Sequence, residues 1–360
     1  MTSYGKNICV TLFGGSHDAE IGLVASGLPS GMKIDEKSLA EFLSRRAPGH
    51  SDLSTPRKEE DAPVFLSGVK NGETDGNELR VIIKNTNTRS SDYDSTVPRP
   101  SHADYPAYVK SNGKADLAGG GHFSGRVTAA LVALGGILLP ALEKKGITIG
   151  THILKCAEVK DSFFRDPEKE IPQLRDREFP VLDIEKGREM TEKIRQAAEA
   201  GDSVGGVTQT AVCGLDAGLG EPWFDSVEGL LSHALFSLGG IKGVEFGLGF
   251  SFPYYRGSQC NDPLMMMDGK IVTETNNNGG INGGITNGMP ILFQCAVKPT
   301  PSISMPQYSV DMDAMEDRKI QIVGRHDPAI VRRICPVIDS VTAMVLCDLM
   351  AQRFGTDILK

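Results

Sequence analysis

The 360-residue sequence lacks the features that would tie it to a membrane or to nucleic acid. No uninterrupted apolar run reaches the roughly 18 to 20 residues that a membrane-spanning helix needs, and the polar start MTSYGKN has no basic region leading into an apolar one. The formal net charge of −8 argues against a nucleic-acid partner, which requires a basic surface. We therefore expect a cytoplasmic protein that binds neither a membrane nor nucleic acid.

Paired cysteines and short-range metal motifs are also missing. The seven cysteines are scattered, odd in number and never spaced as CxxC, so neither a disulfide framework nor a zinc knuckle is indicated. There is no HxH or HExxH, and the adjacent pairs in SHD, HAD and RHD have side chains that usually point apart. We predict buried thiols in a reducing compartment and no metal site.

No fixed-period repeat and no low-complexity linker divides the chain, so we predict one domain spanning residues 1–360. Because strands and helices are mixed along the chain, the expected class is α+β, with helices layered against mostly antiparallel sheets. Runs rich in β-branched residues predict strands over 7–13, 63–69, 79–84, 147–154, 206–214 and 291–297. Longer periodic or apolar runs predict helices over 35–46, 127–145, 184–201, 226–238 and 329–355, the last one bent or begun afresh near Pro336.

Glycine is what the chain has in excess, with 41 residues. Glycine is needed where the backbone takes a positive φ or approaches a ligand closely. The clusters adjoin apolar segments, which favours backbone wrapped around a flat or anionic ligand over flexible surface loops. They read GGGHFSG (119–125), GDSVGG (201–206), LGGIKGVEFGLG (238–249) and NNNGGINGGITNG (276–288).

Four of the seven histidines lie among glycine, serine, proline or charged residues: His17, His102, His122 and His326. The near-neutral pKa of imidazole suits these positions to proton transfer at pH 7. His152 and His233 instead fall within strand and helix patterns, and we interpret them as structural.

Arginines are concentrated beside these same loops, where guanidinium groups bind carboxylate and phosphate through paired hydrogen bonds. Arg126 and Arg325 are embedded in Gly/Ser/His loops, whereas Arg45 and Arg89 fit solvated surface positions equally well. Lys298 adds a cation in the proline-stiffened KPTPSIS loop. The residues thus indicate an enzyme with a small polyanionic substrate, histidine acid/base groups and glycine loops suited to a nucleotide-like cofactor.

Many motifs follow one another in the order and spacing of one family, and the sequence resembles chorismate synthase from about residue 8 to 350. The motifs include FGGSHDAEIGLVASGLPSGMKID, SRRAPG, IIKNTNTRSSDY, RPSHADYPAYVK, AGGGHFSGRVTAA, NNNGGINGGITNG, KPTPSI and GRHDPAIVRRICPV. The resemblance implies a single-domain β-α-β layered sandwich with central buried helices. It also implies a carbon–oxygen lyase of the shikimate pathway, which supplies aromatic amino acid biosynthesis. This lyase converts 5-enolpyruvylshikimate 3-phosphate to chorismate and phosphate by an anti 1,4-elimination.

The same resemblance implies a requirement for reduced FMN without net redox change. NADPH would enter only indirectly, through flavin reduction, and a chain of this length resembles members that depend on an external flavin reductase. Family members are typically homotetramers.

Site residues follow from the resemblance, position by position. His17 would protonate the leaving phosphate, His102 would lie near flavin N1, and Asp327 would lie near flavin N5. Substrate-phosphate or NADP contacts fall on Arg46, Arg57 and Arg126. Flavin contacts fall on His122, Phe123, Ser124, Gly239, Gly240, Gly283, Lys298, Pro299, Thr300, Pro301, Ser302 and Arg325.

The chain departs from the family pattern at several of these motifs. GESHG reads GGSHD, RRRPG reads RRAPG, an expected arginine is Asp52, and GGGRSSARET reads GGGHFSGRVT. Because positive charge and hydroxyl donors are lost, we expect weaker FMN affinity. Asp18, beside His17, is expected to keep the imidazole of His17 protonated.

Two alternative functions remain. One is a phosphate-handling enzyme without flavin, although no GxxxxGK[ST] loop is present, and the other is a non-catalytic relative with the same fold.

Overall fold

The computed structural model describes residues 3–48, 61–86, 96–114, 118–322 and 327–360. The strands are β1 (Ser3–Tyr4), β2 (Cys9–Gly14), β3 (Glu20–Ser26), β4 (Pro63–Ser67), β5 (Val69–Lys70), β6 (Glu73–Thr74), β7 (Leu79–Lys84), β8 (Thr148–Cys156), β9 (Val159–Lys160), β10 (Gly206–Cys213), β11 (Ile241–Phe246), β12 (Leu264–Met267), β13 (Lys270–Thr273), β14 (Ile281–Asn282), β15 (Ile285–Thr286), β16 (Ile291–Val297), β17 (Gln307–Asp311) and β18 (Glu316–Ile320). The α-helices are α1 (Glu36–Arg46), α2 (Asp104–Lys110), α3 (Thr128–Glu143), α4 (Pro167–Arg175), α5 (Ile184–Glu199), α6 (Val227–Phe236), α7 (Gly257–Cys260) and α8 (Val331–Phe354).

Two five-stranded antiparallel sheets form the frame. The first has the order β1-β2-β3-β7-β4 and the second the order β11-β16-β10-β8-β9. In the first sheet Cys9 pairs with Ser26 and Gly14 with Ile21, so the chain between β2 and β3 is a short turn at one end of these two strands. His17 lies in that turn.

Helices α3 and α8 pack against each other between the two sheets. Helix α3 contacts β3 and β7 of the first sheet, and α8 contacts β8 and β10 of the second, while α4 and α5 cover the outer face of the second sheet. Apolar side chains of both sheets and of α3 and α8 form one continuous core, which supports the proposal of a single domain. This is the layered β-α-β arrangement of the α+β class that the sequence predicts.

By length and mean hydropathy, two helical segments resemble membrane spans, Gly125–Glu143 and Val331–Phe354. A search for uninterrupted apolar runs overlooks both segments because each contains charged residues. Arg126 and Glu143 shorten the apolar run of the first segment, and arginines and aspartates interrupt the second. Most of the first segment and all of the second are buried inside the protein. Their apolar composition is thus explained by their position between two sheets.

The predicted strands and helices all occur, with ends within two residues of those predicted. The prediction that a helix begins afresh near Pro336 is wrong, because α8 runs unbroken from Val331 to Phe354, and a bend at Pro336 stays a prediction. Pro336 is the sixth residue of the helix, so its missing N–H removes a single hydrogen bond near the N-terminal end. The carbonyl of Pro336 is in turn bonded by Ser340 Oγ at 2.6 Å. Burial on all sides offsets the lost bond.

Candidate active site

The turn that carries His17 packs against the glycine-rich loop that carries His122. Ser16 N donates to Gly121 O at 3.0 Å, and His122 Nδ1 lies 2.7 Å from Gly14 O. A Cβ at Gly15 would lie 3.0 Å from the carbonyl carbon of Gly121, closer than ordinary packing allows. Glycine at this position therefore permits the close contact between the two loops.

Within the turn, Ser16 Oγ lies 3.1 Å from His17 Nδ1. The side chain of Asp18 is exposed, and its backbone N donates to Gly15 O at 3.2 Å. The effect of Asp18 on the protonation of His17 stays a prediction.

A buried carboxylate joins two arginines at the end of the glycine-rich loop. Asp61 Oδ2 accepts from Arg46 Nη1 at 2.7 Å, and Asp61 Oδ1 accepts from Arg126 Nη1. The arginines are 4% and 6% exposed. Arg46 also donates to Thr128 Oγ1 at 3.2 Å and to Gly125 O at 2.9 Å, so it holds the start of α3.

The charges of this cluster depend on one another. Burial disfavours ionisation of Asp61, but the attraction of Arg46 and Arg126 outweighs it, and the pKa of the carboxyl falls below its usual value. Burial and the neighbouring arginines lower the pKa of Arg46 to about 10 against the attraction of Asp61. At neutral pH the cluster therefore carries two guanidinium charges and one carboxylate.

A cavity of about 250 Å³ opens beside this cluster. Arg333 and Asp327 form an ion pair on its wall, and Arg333 Nε donates to Arg46 O at 2.8 Å. Asp327 is 9% exposed, and its Oδ1 is buried without a hydrogen-bond partner among the described residues. The cavity is lined by Arg46, Pro48, Ser124, Gly125, Arg126, Thr128, Leu238, Gly239, Asp327, Ile330, Arg333, Ile334 and Val337.

The turn that carries His102 meets the loop 298–302. His102 Nε2 lies 2.8 Å from Ser302 Oγ, and Lys298 Nζ donates to Ser101 O at 2.7 Å. Lys298 N donates to Gly240 O at 2.9 Å, which joins this loop to the glycine pair at the cavity wall. Partial burial and then the charge of Lys242 lower the pKa of Lys298.

An ion pair shapes the His102 turn from within. Arg99 Nε donates to Asp104 Oδ2 at 2.7 Å and Arg99 Nη2 donates to Asp104 Oδ1 at 2.8 Å, so the pair is bidentate. Asp104 begins α2, and the bridge therefore closes the turn around His102.

Gly283 is not brought to the cavity of this chain. It lies in the tight β14–β15 hairpin, where Val227 N donates to the neighbouring Gly284 O at 2.9 Å at the start of α6. Gly239 follows the other end of that ten-residue helix, roughly 15 Å away along its axis. The predicted contacts Arg57 and Arg325, with Asp52, Arg89 and His326, lie outside the described residues.

Of the three predicted flavin positions in the glycine-rich loop, one lines the cavity and two do not. Ser124 lines it, whereas His122 is exposed and Phe123 is 62% exposed. Their contribution to flavin affinity stays a prediction. His152 is fully buried in β8, with Nε2 3.1 Å from Gln209 Oε1, as expected of a structural histidine. Within the described ranges, no group of three or more His, Cys, Asp or Glu side chains is arranged to hold a metal ion.

Residue patterns alone missed three polar residues of the site: Asp61, Asn85 and Arg333. Arg333 lies in the quoted GRHDPAIVRRICPV motif, so its position beside Asp327 was a usable signal. Asn85 lies in the IIKNTNTRSSDY motif directly after β7, whereas Asp61 lies in none of these motifs and shortly precedes β4. Their partners lie far away in sequence, which hides them from local pattern analysis.

Comparison with known proteins finds similarity to chorismate synthases over nearly the whole chain. The family model for chorismate synthase matches residues 8–351. The chain is 43% identical over 347 residues to the chorismate synthase of Pyrococcus abyssi, covering 96% of each chain. It is 42% identical over 352 residues to that of Thermococcus kodakarensis, covering 97% of each. A crystal structure of chorismate synthase superposes with a TM-score of 0.77 at 28% identity, covering 98% of this chain and 94% of the other.

These similarities confirm the predicted fold class and the resemblance read from the motifs. Both the sequence relatives and the solved structure extend beyond the cavity to the sheets and helices that frame it. The chain belongs to the chorismate synthase family, a family of lyases that serve amino-acid biosynthesis.

Proposed function

We propose that this chain eliminates phosphate from 5-enolpyruvylshikimate 3-phosphate to give chorismate. The observation that carries the proposal is a cavity lined by the Arg333–Asp327 ion pair and by the two arginines that Asp61 joins, in a chain of this family. The substrate carries two carboxylates and a phosphate, and prearranged guanidinium groups are suited to such charge.

The reaction breaks a C–O bond to phosphate and a C–H bond at the other end of an allylic system, and it forms one new double bond. A proton and phosphate leave together, so no net oxidation occurs. The role of this chain is to bind the anions, protonate the leaving group and keep water from the cavity.

The residues around the cavity fit a planar, anionic cofactor such as reduced FMN. Gly125 and Gly239 leave part of the wall without side chains, and the buried Oδ1 of Asp327 is available for a donor. Lys298 and Ser302 supply a cation and a hydroxyl at the adjoining loop. When bound, reduced flavin supplies transient electron density to the substrate and a basic ring nitrogen.

Three side chains handle protons in this proposal. His17 donates to the departing phosphate, since its turn adjoins the glycine-rich loop. His102, hydrogen-bonded to Ser302, holds a proton at the opposite loop. Asp327, paired with Arg333, accepts a hydrogen bond from the cofactor.

The test is an anaerobic assay with purified protein, chemically reduced FMN and 5-enolpyruvylshikimate 3-phosphate. We expect chorismate and phosphate in equal amounts while the flavin stays reduced. His17→Ala should lower kcat by about 10²- to 10⁴-fold, the usual contribution of a general acid. His233→Ala is the matched control, because that exposed side chain packs on Tyr4 and does not line the cavity.

Other results of the anaerobic assay would contradict the proposed reaction and favour a different function. If neither chorismate nor phosphate forms, the proposed reaction is wrong. Phosphate transfer that needs a nucleotide would favour the flavin-free enzyme, and substrate binding without turnover would favour a non-catalytic relative.

The remaining parts of the proposal concern the state of the protein in the cell. We propose a cytoplasmic enzyme, with its FMN reduced by a separate reductase that uses NADPH. We also propose a homotetramer, since large apolar side chains are exposed on β12 and β13 and in the 3₁₀ turn Trp223–Asp225.

A further inference from the structure

Asn85, directly after β7, bonds to two parts of the site at once. Its Nδ2 donates to Gly15 O at 3.0 Å and to Asp18 O at 2.8 Å, which are carbonyls on either side of His17. Its Oδ1 accepts from Arg126 Nε at 3.0 Å. Because carbonyls only accept and a guanidinium only donates, these three bonds allow one orientation of the amide.

The backbone of Asn85 adds a fourth bond, from its N to Ala19 O at 3.0 Å. The His17 turn is thus held at both ends by one residue. Through Arg126 the same residue connects to Asp61 and Arg46 at the cavity wall. One side chain therefore links the turn of the proton donor to the cationic cluster, in addition to the bonds that the turn makes with the glycine-rich loop.

We infer that Asn85 is a positioning residue for His17. This inference rests on the proposed function, in which His17 protonates the leaving phosphate. A misplacement of about 1 Å at such a donor lowers the rate by roughly 10²-fold.

The variant Asn85→Asp removes only the two hydrogen bonds that Asn85 Nδ2 donates to the His17 turn. Aspartate has nearly the same shape and still accepts from Arg126, but it presents a carboxylate oxygen to the carbonyls of Gly15 and Asp18. The turn then moves while the arginine contact survives. We expect kcat to fall about 10- to 100-fold, with KM changed less than about threefold.

The decisive measurement is a double-mutant cycle in the anaerobic assay, comparing Asn85→Asp, His17→Ala and the double variant. Because Asn85 acts through His17, the double variant should match His17→Ala within about twofold. If the two losses multiply, Asn85 acts by another route and the inference is wrong. Asn71→Asp, an exposed residue of the β5–β6 turn, adds the same charge and should leave kcat unchanged.

A second readout needs neither cofactor nor turnover. In protein with isotopically labelled histidine, Asn85→Asp should shift the ring resonance of His17 and leave that of His233 in place. An unmoved His17 resonance alongside a reduced kcat would overturn the inference. If Asn85→Asp does not fold, Asn85→Ser removes the amide donors without adding charge and is held to the same two criteria.

Failure of the proposed function is distinguishable from failure of this inference. A wild-type protein that makes no chorismate contradicts the function, and the resonance of His17 then still reports whether Asn85 holds the turn. A wild-type protein that is active, with Asn85→Asp equally active, contradicts the inference alone.

Discussion

The ionisation of buried carboxyl groups in this chain depends on partners that are distant in sequence. Asp61 is ionised because two arginines compensate its burial, and Arg46 is held by Asp61 and by carbonyls of the loop before α3. Asp339 differs, because no arginine forms a direct ion pair with it among the described residues. It is 3% exposed and accepts from Thr151 Oγ1 at 2.6 Å. Burial raises the pKa of Asp339 to about 6, although the charge of Arg45 and the bond from Thr151 act in the opposite direction.

Asp339→Asn should stabilise the protein at alkaline pH. The pKa of Asp339 is higher in the folded than in the unfolded chain, so its ionisation opposes folding; this penalty grows as pH rises from the unfolded value of 3.8 to about 6 and stays constant above that. At about 1.4 kcal/mol per pKa unit, Asp339→Asn should raise the free energy of unfolding by about 2 to 3 kcal/mol at pH 8. At pH 5 this increase should be smaller by about 1 kcal/mol. Denaturant unfolding at both pH values measures it.

The exposed Asp176→Asn is the control for this prediction, and it should leave the free energy of unfolding unchanged at both pH values. Equal stability of wild type and Asp339→Asn at pH 8 would show that the buried carboxyl is not penalised.

At the scale of elements, the contact between α3 and α8 organises the fold. The axes approach closely where Gly135 faces Ser340, and a Cβ there would lie 2.1 Å from Ser340 Oγ and 2.8 Å from Ser340 Cα. Both helices are buried along most of their length, so neither can move without disturbing a sheet.

Gly135→Ala should destabilise the protein by about 1 to 3 kcal/mol, the usual cost of overpacking a core. In an exposed helix the same change would be stabilising, so the sign identifies the steric cause. Adding Ser340→Ala should not restore stability, because the clash with Cα remains. Thermal and denaturant unfolding measure both variants.

Gly136→Ala is the matched control on the neighbouring residue. Its Cβ would meet only Leu39 Cδ1 at 2.4 Å, the far end of a side chain that can change rotamer. A Gly135→Ala variant as stable as Gly136→Ala would contradict close packing at this crossing.

At the scale of the whole molecule, exposed apolar residues are unevenly distributed. All four residues of β12, Leu264–Met267, are between 45% and 74% exposed, and Trp223 and Phe224 are 85% and 95% exposed. Across the hairpin, Met266 pairs with Ile271, and both are 66% exposed. Side chains of this kind mark surfaces that other proteins cover.

We expect light scattering to give about four times the 38.6 kDa mass of one chain. Met266→Glu combined with Ile271→Glu should lower that mass, because two charges would be buried at the contact. Ile184→Glu, at the exposed start of α5, is the control and should keep the mass of the wild type. A monomeric wild-type protein would contradict the proposed tetramer.

The sequence by itself determined the fold class, the family and the ends of the elements that it predicted, whereas β3 and β11 of the two main sheets were not predicted. Periodic apolar patterns are local, so the helices and strands followed from them, and ordered motifs identified His17, His102 and Asp327 as candidates. The sequence did not predict that α8 continues through Pro336, because a local rule ignores the burial of this helix on all sides.

Only the tertiary structure decided how these residues meet. Asp61 bridges Arg46 and Arg126, and Asn85 spans the His17 turn and Arg126, with partners up to 70 residues apart. Gly283 lies near the other end of α6 from Gly239 and does not line the cavity, so its contact with flavin stays a prediction. Hydrogen bonds and ion pairs between distant segments depend on the packing of whole elements, and that packing leaves no periodic pattern in the chain.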